Sequence, residues 1–422
     1  MKKTLSFVFA AFFALCIFTG CGAEGSGEKS TGTSVEFTGT EAKINGGGCS
    51  FKDGVFAVEK SGTFTLTGHL SGSIKVDVGA AQEDVRLIFD GLSVENPQGP
   101  ALLIQQAKNT RIELKEGSEN LLVSGVEGSP FDEANASGAA IYAEDDLDIE
   151  GSGKLLIKGY INNGIGCKDD LDINGGEITV SAVNNGIRAS ESFELKGGKL
   201  DITAGNDGIK TSSAKKEGKG FITISDGEAV IQAAGDGLSS AAELNVQGGI
   251  LTVKAQNGDG IKAGRMVNIS GGSISAEAAD NGIKALTGVK LSGGTVNIVS
   301  AGDGLQAGDK SMDSAKNIEQ TGGELYVSCG KQALKADEVK LGGGTALLLQ
   351  NEELSGAGIS CTRPLLSGQI KGAKGSTVQV ENLGEILSGS PYNTIVFSHG
   401  QLESGKEYKV SNGLAEVVLT AG

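Results

Sequence analysis

Asn185-Gly186-Ile187-Arg188 and Asp207-Gly208-Ile209-Lys210 are two copies of one motif that recurs along residues 137–361. Asn163-Gly164-Ile165 precedes them, and Asp236-Gly237-Leu238, Asp259-Gly260-Ile261-Lys262, Asn281-Gly282-Ile283-Lys284 and Asp303-Gly304-Leu305 follow. From Ile165 the aliphatic residue returns at 187, 209, 238, 261, 283 and 305, in steps of 22, 22, 29, 23, 22 and 22 residues. A fixed period in this range marks stacked repeats.

Between these corners lies a second signature, a Gly-Gly pair followed by alternating apolar residues, as in Gly175-Gly176-Glu177-Ile178-Thr179-Val180 and Gly197-Gly198-Lys199-Leu200-Asp201-Ile202. Each period holds three short alternating runs, for example Ile187-Arg188-Ala189, Phe193-Glu194-Leu195 and Leu200-Asp201-Ile202. That is the pattern of strands with one buried face, and no run is long enough for a helix. Three strands and three Gly-rich turns in about 22 residues predict an all-β chain folded as a single parallel β-helix, its coils stacked about 4.8 Å apart. Asn, Asp and Gly at the corners suit the left-handed backbone that sharp turns can require.

Lys2 and Lys3 precede the apolar run Leu5–Phe18, which is too short to span a bilayer and fits a signal peptide. The run ends in Phe18-Thr19-Gly20-Cys21, which resembles a bacterial lipoprotein signal with lipid attached at Cys21. Unmodified secretion is the alternative, and both routes export the chain. Residues 1–20 are thus expected to be removed, 21–34 to be a flexible tether, 35–136 to cap the repeats and form the first coils, 137–361 to be regular coils, and 362–422 to close the other end. The expected location is the outer face of a cell membrane, as a monomer.

The formal charge is −16, from 36 basic and 52 acidic residues, and becomes −18 (34 against 52) once Lys2 and Lys3 are lost. This argues against nucleic acid and for cations or neutral partners. Gly is 68 of 422 residues, without the triplet period of collagen. With Cys16 and Cys21 accounted for, Cys49, Cys167, Cys329 and Cys361 remain, and no Cys-x-x-Cys exists. Cys167 and Cys361 each follow a corner Ile by two, so both are expected in one inward column about 38 Å apart, unlinked.

Stacking turns the period into columns of side chains. Asp145, Asp169 and Glu191 align in one turn column, and Asp148, Asp172 and Glu194 in a second. Like charges about 4.8 Å apart repel unless a cation or a basic partner intervenes. Oxygen-rich sets of this kind suit calcium. A corner column runs through Asn163, Asn185, Asp207, Asp236, Asp259, Asn281 and Asp303. It offers metal oxygens at Asp207, Asp236 and Asp259, or hydrogen bonds to the backbone. One residue beyond each corner aliphatic stand Arg188, Lys210, Lys262, Lys284 and Lys335, a basic stripe that either pairs with the acids or holds uronate carboxylates. Two insertions, Ser212–Gly220 and Gly308–Asn317, fall at equivalent points and are expected to wall one groove.

The opening Ser61-Gly62-Thr63-Phe64-Thr65-Leu66-Thr67-Gly68-His69-Leu70, the segments Val85–Asn96 and Ile112–Asn120, the ladder of corners, and the closing Thr394-Ile395-Val396-Phe397-Ser398 and Ser404–Val410 together resemble a bacterial extracellular family of carbohydrate-binding domain-containing proteins. The resemblance covers nearly all of the mature chain. It implies a polysaccharide-lyase-like, right-handed parallel β-helix that binds calcium and plant-type polysaccharides, acidic ones included. The family's acidic pattern matches at Lys168-Asp169-Asp170 and Asn206-Asp207-Gly208, whereas Ala189-Ser190-Glu191 departs from it.

Asp145-Asp146 and Asp169-Asp170 are paired carboxylates of the kind glycoside hydrolysis uses, but their repetition at equivalent positions suits a column better than one catalytic pair. Histidine occurs only at 69 and 399, and Arg86, Arg111, Arg188, Arg265 and Arg363 are scattered along the sequence. There is no Trp for a flat aromatic platform. The expected function is non-catalytic, surface-anchored binding of polysaccharide with calcium, selective for uronate or cellulosic glycans. A pectate-lyase-like enzyme and a structural or adhesive surface protein are the alternatives.

Overall fold

A computed structural model describes residues 32–79, 83–130, 136–214, 218–308, 316–352 and 359–422. The expected signal peptide, Cys21 and most of the tether lie outside the described residues, as do the central parts of both insertions. The described residues are all-β, with a single 3-10 turn at Ala136–Gly138. Among them, no helix is long and apolar enough to cross a membrane.

Each period supplies three strands, one to each of three parallel ladders. Ile187–Ala189 belongs to a corner ladder, Ser192–Leu195 to a middle ladder and Lys199–Ala204 to a flank ladder. In the corner ladder Ile141, Ile165, Ile187, Ile209 and Leu238 pair in direct register, and Ile261, Ile283, Leu305 and Leu334 continue the column. The sequence period and the hydrogen-bonded register therefore coincide, insertions included. The early corner at Leu102 joins the same column by pairing with Ile141.

Alternation does the rest. Phe193 and Leu195 point inward and are buried, while Ser192 and Glu194 between them are not. Repeated over the tiers, this builds one continuous aliphatic core, each fully buried side chain contributing about 1.5–3 kcal/mol. The ends are closed by antiparallel pairing: Thr33–Gly39 pairs with Ala42–Asn45 at one end, and Tyr392–Ser398 crosses Ala346–Gln350 at the other. Phe37 packs edge-on against Phe56 at 5.4 Å, filling the first end with aromatic bulk. A separate small core around Leu366, Tyr392 and Phe397 supports the C-terminal four-stranded sheet. Such closures cover strand edges that would otherwise pair with other chains.

Two sequence expectations are revised. The corner glycines do not have a left-handed backbone; they are needed because tiers approach closely there. A Cβ on Gly186 would lie 2.3 Å from Ile202 Cγ2 and 2.8 Å from the Gly208 carbonyl. Positive φ belongs instead to the second glycine of each Gly-Gly turn, such as Gly198 at 80°. Secondly, Cys361 is not in the column of Cys167. Ile359–Cys361 pairs with Val339 and Leu341 in the middle ladder, because the corner ladder ends at Leu334–Lys335. All four described cysteines are free thiols, and burial pushes the Cys329 thiol up to about 12.

Candidate functional site

The corner column of Asn and Asp residues is a hydrogen-bonded ladder. Asn163 Oδ1 accepts the backbone N–H of Asn185 at 3.2 Å and its side-chain amide at 2.8 Å. Asp207 Oδ1 accepts the N–H of Asp236, and Asp236 Oδ1 that of Asp259, both at 2.9 Å. Asp259 Oδ1 accepts both the N–H and the side-chain amide of Asn281, and Asn281 Oδ1 accepts the N–H of Asp303. One oxygen of each side chain is thereby spent on the tier above, which fixes the spacing of the corners.

The second oxygens face the basic stripe. Lys210 Nζ is 2.7 Å from Asp207 Oδ2, Lys262 Nζ is 2.9 Å from Asp236 Oδ2, and Lys284 Nζ is 3.7 Å from Asp259 Oδ2. Lys335 repeats the contact on Asp303 at 2.7 Å. Of the five cations in the stripe, Arg188 alone has no side-chain ion pair among the described residues. Lys262 and Lys284 stand on adjacent tiers and line, with Ser239, Ser240 and Gly308, a shallow cavity of about 270 Å³. This cavity lies on the tiers between the two insertions, with the first residue of the second insertion in its wall. Each lysine spends part of its ammonium on an Asp below and has further donors for an oxygen ligand above.

The acidic column is resolved differently. Lys219, at the end of the first insertion, ion-pairs with Glu191 and lies 3.2 Å from Asp170 Oδ2. The Glu191 contact raises the lysine's pKa strongly. Ser192 Oγ donates to the other Asp170 oxygen at 2.6 Å. Asp145 Oδ2 accepts the Ala107 N–H at 2.9 Å. Asp169 has no hydrogen bond or ion pair at its carboxylate among the described residues. Burial raises its pKa, and so do the charges of Glu191, Asp146, Asp145 and Asp170. Asp148, Asp172 and Glu194 stack in register, with Lys196 2.5 Å from Asp172 and 3.5 Å from Glu194.

The sequence reading missed Lys219 because it treated the insertion only as a wall. Phe221 registers with Ser192, so counting back from it would have set Lys219 beside the Glu191 turn. It also missed that Arg86 and Arg111 are register neighbours and not scattered. Arg86 contacts Glu113 at 2.7 Å, and Arg111 lies 3.8 Å from Asp148 and 3.7 Å from Glu150.

The family model for carbohydrate-binding domain-containing proteins matches residues 52–259 and 240–417. The chain belongs to this family. A carbohydrate-binding domain-containing protein of Acetivibrio thermocellus is 33% identical over 183 residues, 41% of this chain and 63% of the relative, so the match spans less than two thirds of that protein. A polysaccharide lyase-like protein from C. thermocellum, solved as a gadolinium derivative, matches with a TM-score of 0.45 and 24% identity, over 78% of this chain and all of the other.

The resemblance stated above implies calcium in this carbohydrate-binding family, and the donor chemistry here can be weighed against that. The carboxylates of Asp145 and Asp169 are hard oxygen donors, and Asp169 carries negative charge that no neighbouring cation offsets by direct contact. Those two carboxylates are the oxygen donors this column would offer a hard cation. Glu191, Asp207, Asp236 and Asp259 are already engaged by lysines and backbone N–H groups. Among the described residues, no three His, Cys, Asp or Glu side chains converge as a metal set. Calcium at Asp145 and Asp169 would therefore take most of its six to eight oxygens from water or sugar.

Proposed function

We propose that this family member is a non-catalytic polysaccharide-binding protein, held on the outer cell surface through lipid at Cys21, whose three ladders close into a single right-handed parallel β-helix. The observation that carries the binding role is the 270 Å³ corner cavity, where Ser239, Lys262 and Lys284 stand in register on three successive tiers. Ammonium and hydroxyl donors repeating at the tier spacing suit the carboxylates and hydroxyls of an extended uronate chain. Calcium at Asp145 and Asp169 would bridge protein and sugar oxygens on the same ladder edge. Binding without turnover is favoured because the second member of each acidic pair is tied into the column: Asp146 Oδ1 accepts the Asp170 N–H, and Asp170 is held by Ser192 and Lys219.

The test is a glycan array probed with and without calcium, alongside an assay for unsaturated uronide release. Retention of acidic glycans, strengthened by calcium and without product, is expected. Release of unsaturated product would replace this reading with that of a lyase.

A further inference from the structure

The flank ladder carries a groove that the corner site does not use. Thr252, Ser275 and Asn297 point outward in direct register on three successive tiers. Beside them Lys254 and Glu277 pair with each other at 3.4 Å, which cancels their charge. Facing this floor is a wall contributed by the turns on either side of strands Thr377–Val380 and Gly384–Leu387, through Lys374 and Gly389. Gly389 is seated so tightly that a Cβ would lie 2.3 Å from Val299 Cγ1, and its N–H donates to Ser328 Oγ at 2.9 Å. The space between floor and wall is about 540 Å³, twice the corner cavity, and Lys374 lines it. Lys374 is exposed and has no side-chain ion pair among the described residues.

We propose that this groove is a second glycan site, independent of calcium, in which a linear polysaccharide lies across the tiers and Lys374 selects sugars that carry a carboxylate. The proposal rests on the polysaccharide reading above. Hydroxyl and amide groups repeat along the floor at about 4.8 Å, close to the advance of one sugar unit in an extended chain, so each tier can hydrogen-bond one unit. No carboxylate on the floor remains unpaired to demand a metal. The one uncompensated charge is the lysine on the wall, placed where a uronate carboxylate would meet it.

Calorimetry in EDTA with polygalacturonate and with its methyl-esterified form separates these elements. Ser275→Trp, an exposed position whose enlargement fills the groove, should weaken binding of both polymers about tenfold, and Thr252→Trp should do the same from the neighbouring tier. Lys374→Glu should weaken only the free acid, again about tenfold, the loss of one charge-assisted hydrogen bond. Binding by these variants equal to that of the parent protein would overturn the groove while leaving the polysaccharide reading intact, as would parent binding seen only with calcium. No binding of either polymer with or without calcium would overturn both.

Discussion

Lys219 ion-pairs with Glu191, a carboxylate whose side chain is only 9% exposed, and it does so from an insertion in the next tier. An acidic column needs positive charge, and here part of that charge is covalently supplied. Removing it withdraws a close positive charge from a buried Glu191. Because Lys219 is itself 32% exposed, the expected loss for Lys219→Met is about 1–3 kcal/mol, below that of a fully buried pair. Thermal unfolding should show a lowered Tm for this variant, near-parent behaviour for Lys219→Arg, and partial recovery in Lys219→Met combined with Glu191→Gln. An unchanged Tm in Lys219→Met would mean that the pair contributes nothing.

Gly186→Ala should destabilise strongly although alanine is small. The added methyl meets Ile202 of its own period and the Gly208 carbonyl at the next corner, so the stack must open locally. Overpacking of this kind costs about 1–3 kcal/mol or more. Denaturant unfolding measures it, and a midpoint within error of the parent would show that the tiers yield.

His399 provides a pH dependence. Burial first, and then the charge of Arg363, hold its pKa below the usual 6.5, and its Nδ1 accepts the Gln401 N–H, which requires a neutral ring. The unfolded chain binds the proton more readily, so stability from this group is present above pH 6.5 and lost as pH falls through the lower folded value. In a His69→Gln background the single remaining imidazole resonance should titrate below 6.5. A midpoint at or above that value would contradict the assignment.

The stacking was legible in the sequence because a side-chain period fixes register: the step from Ile209 to Leu238 was readable as one tier despite its extra residues, and the two pair directly. The corner Asx ladder was legible as one of two readings, since Asp and Asn bond to backbone or to metal through the same oxygens. Lys219 was not legible, because an insertion breaks the period that locates side chains. Nor was the flank groove, whose wall at Gly389 belongs to a segment about a hundred residues further along the chain, outside the repeat.

Calcium should raise the Tm of the parent protein and not that of Asp169→Asn. Burial first, and then the like charges around it, raise the pKa of Asp169, and a bound cation would relieve the repulsion. At a hundredfold excess over its dissociation constant, a single bound ion stabilises the fold by about 2.7 kcal/mol. Differential scanning calorimetry with calcium and with chelator measures the difference. Equal calcium responses in the two proteins would place the ion elsewhere.

The central claim, that the basic corner holds polysaccharide, is tested most directly by titrating polygalacturonate in calcium into the parent protein and into Lys262→Gln/Lys284→Gln, after thermal unfolding has established that the variant is folded. The account predicts measurable binding by the parent and affinity at least about tenfold weaker in the variant, the loss of one or more charge-assisted contacts. Equal affinity in the two proteins would contradict it.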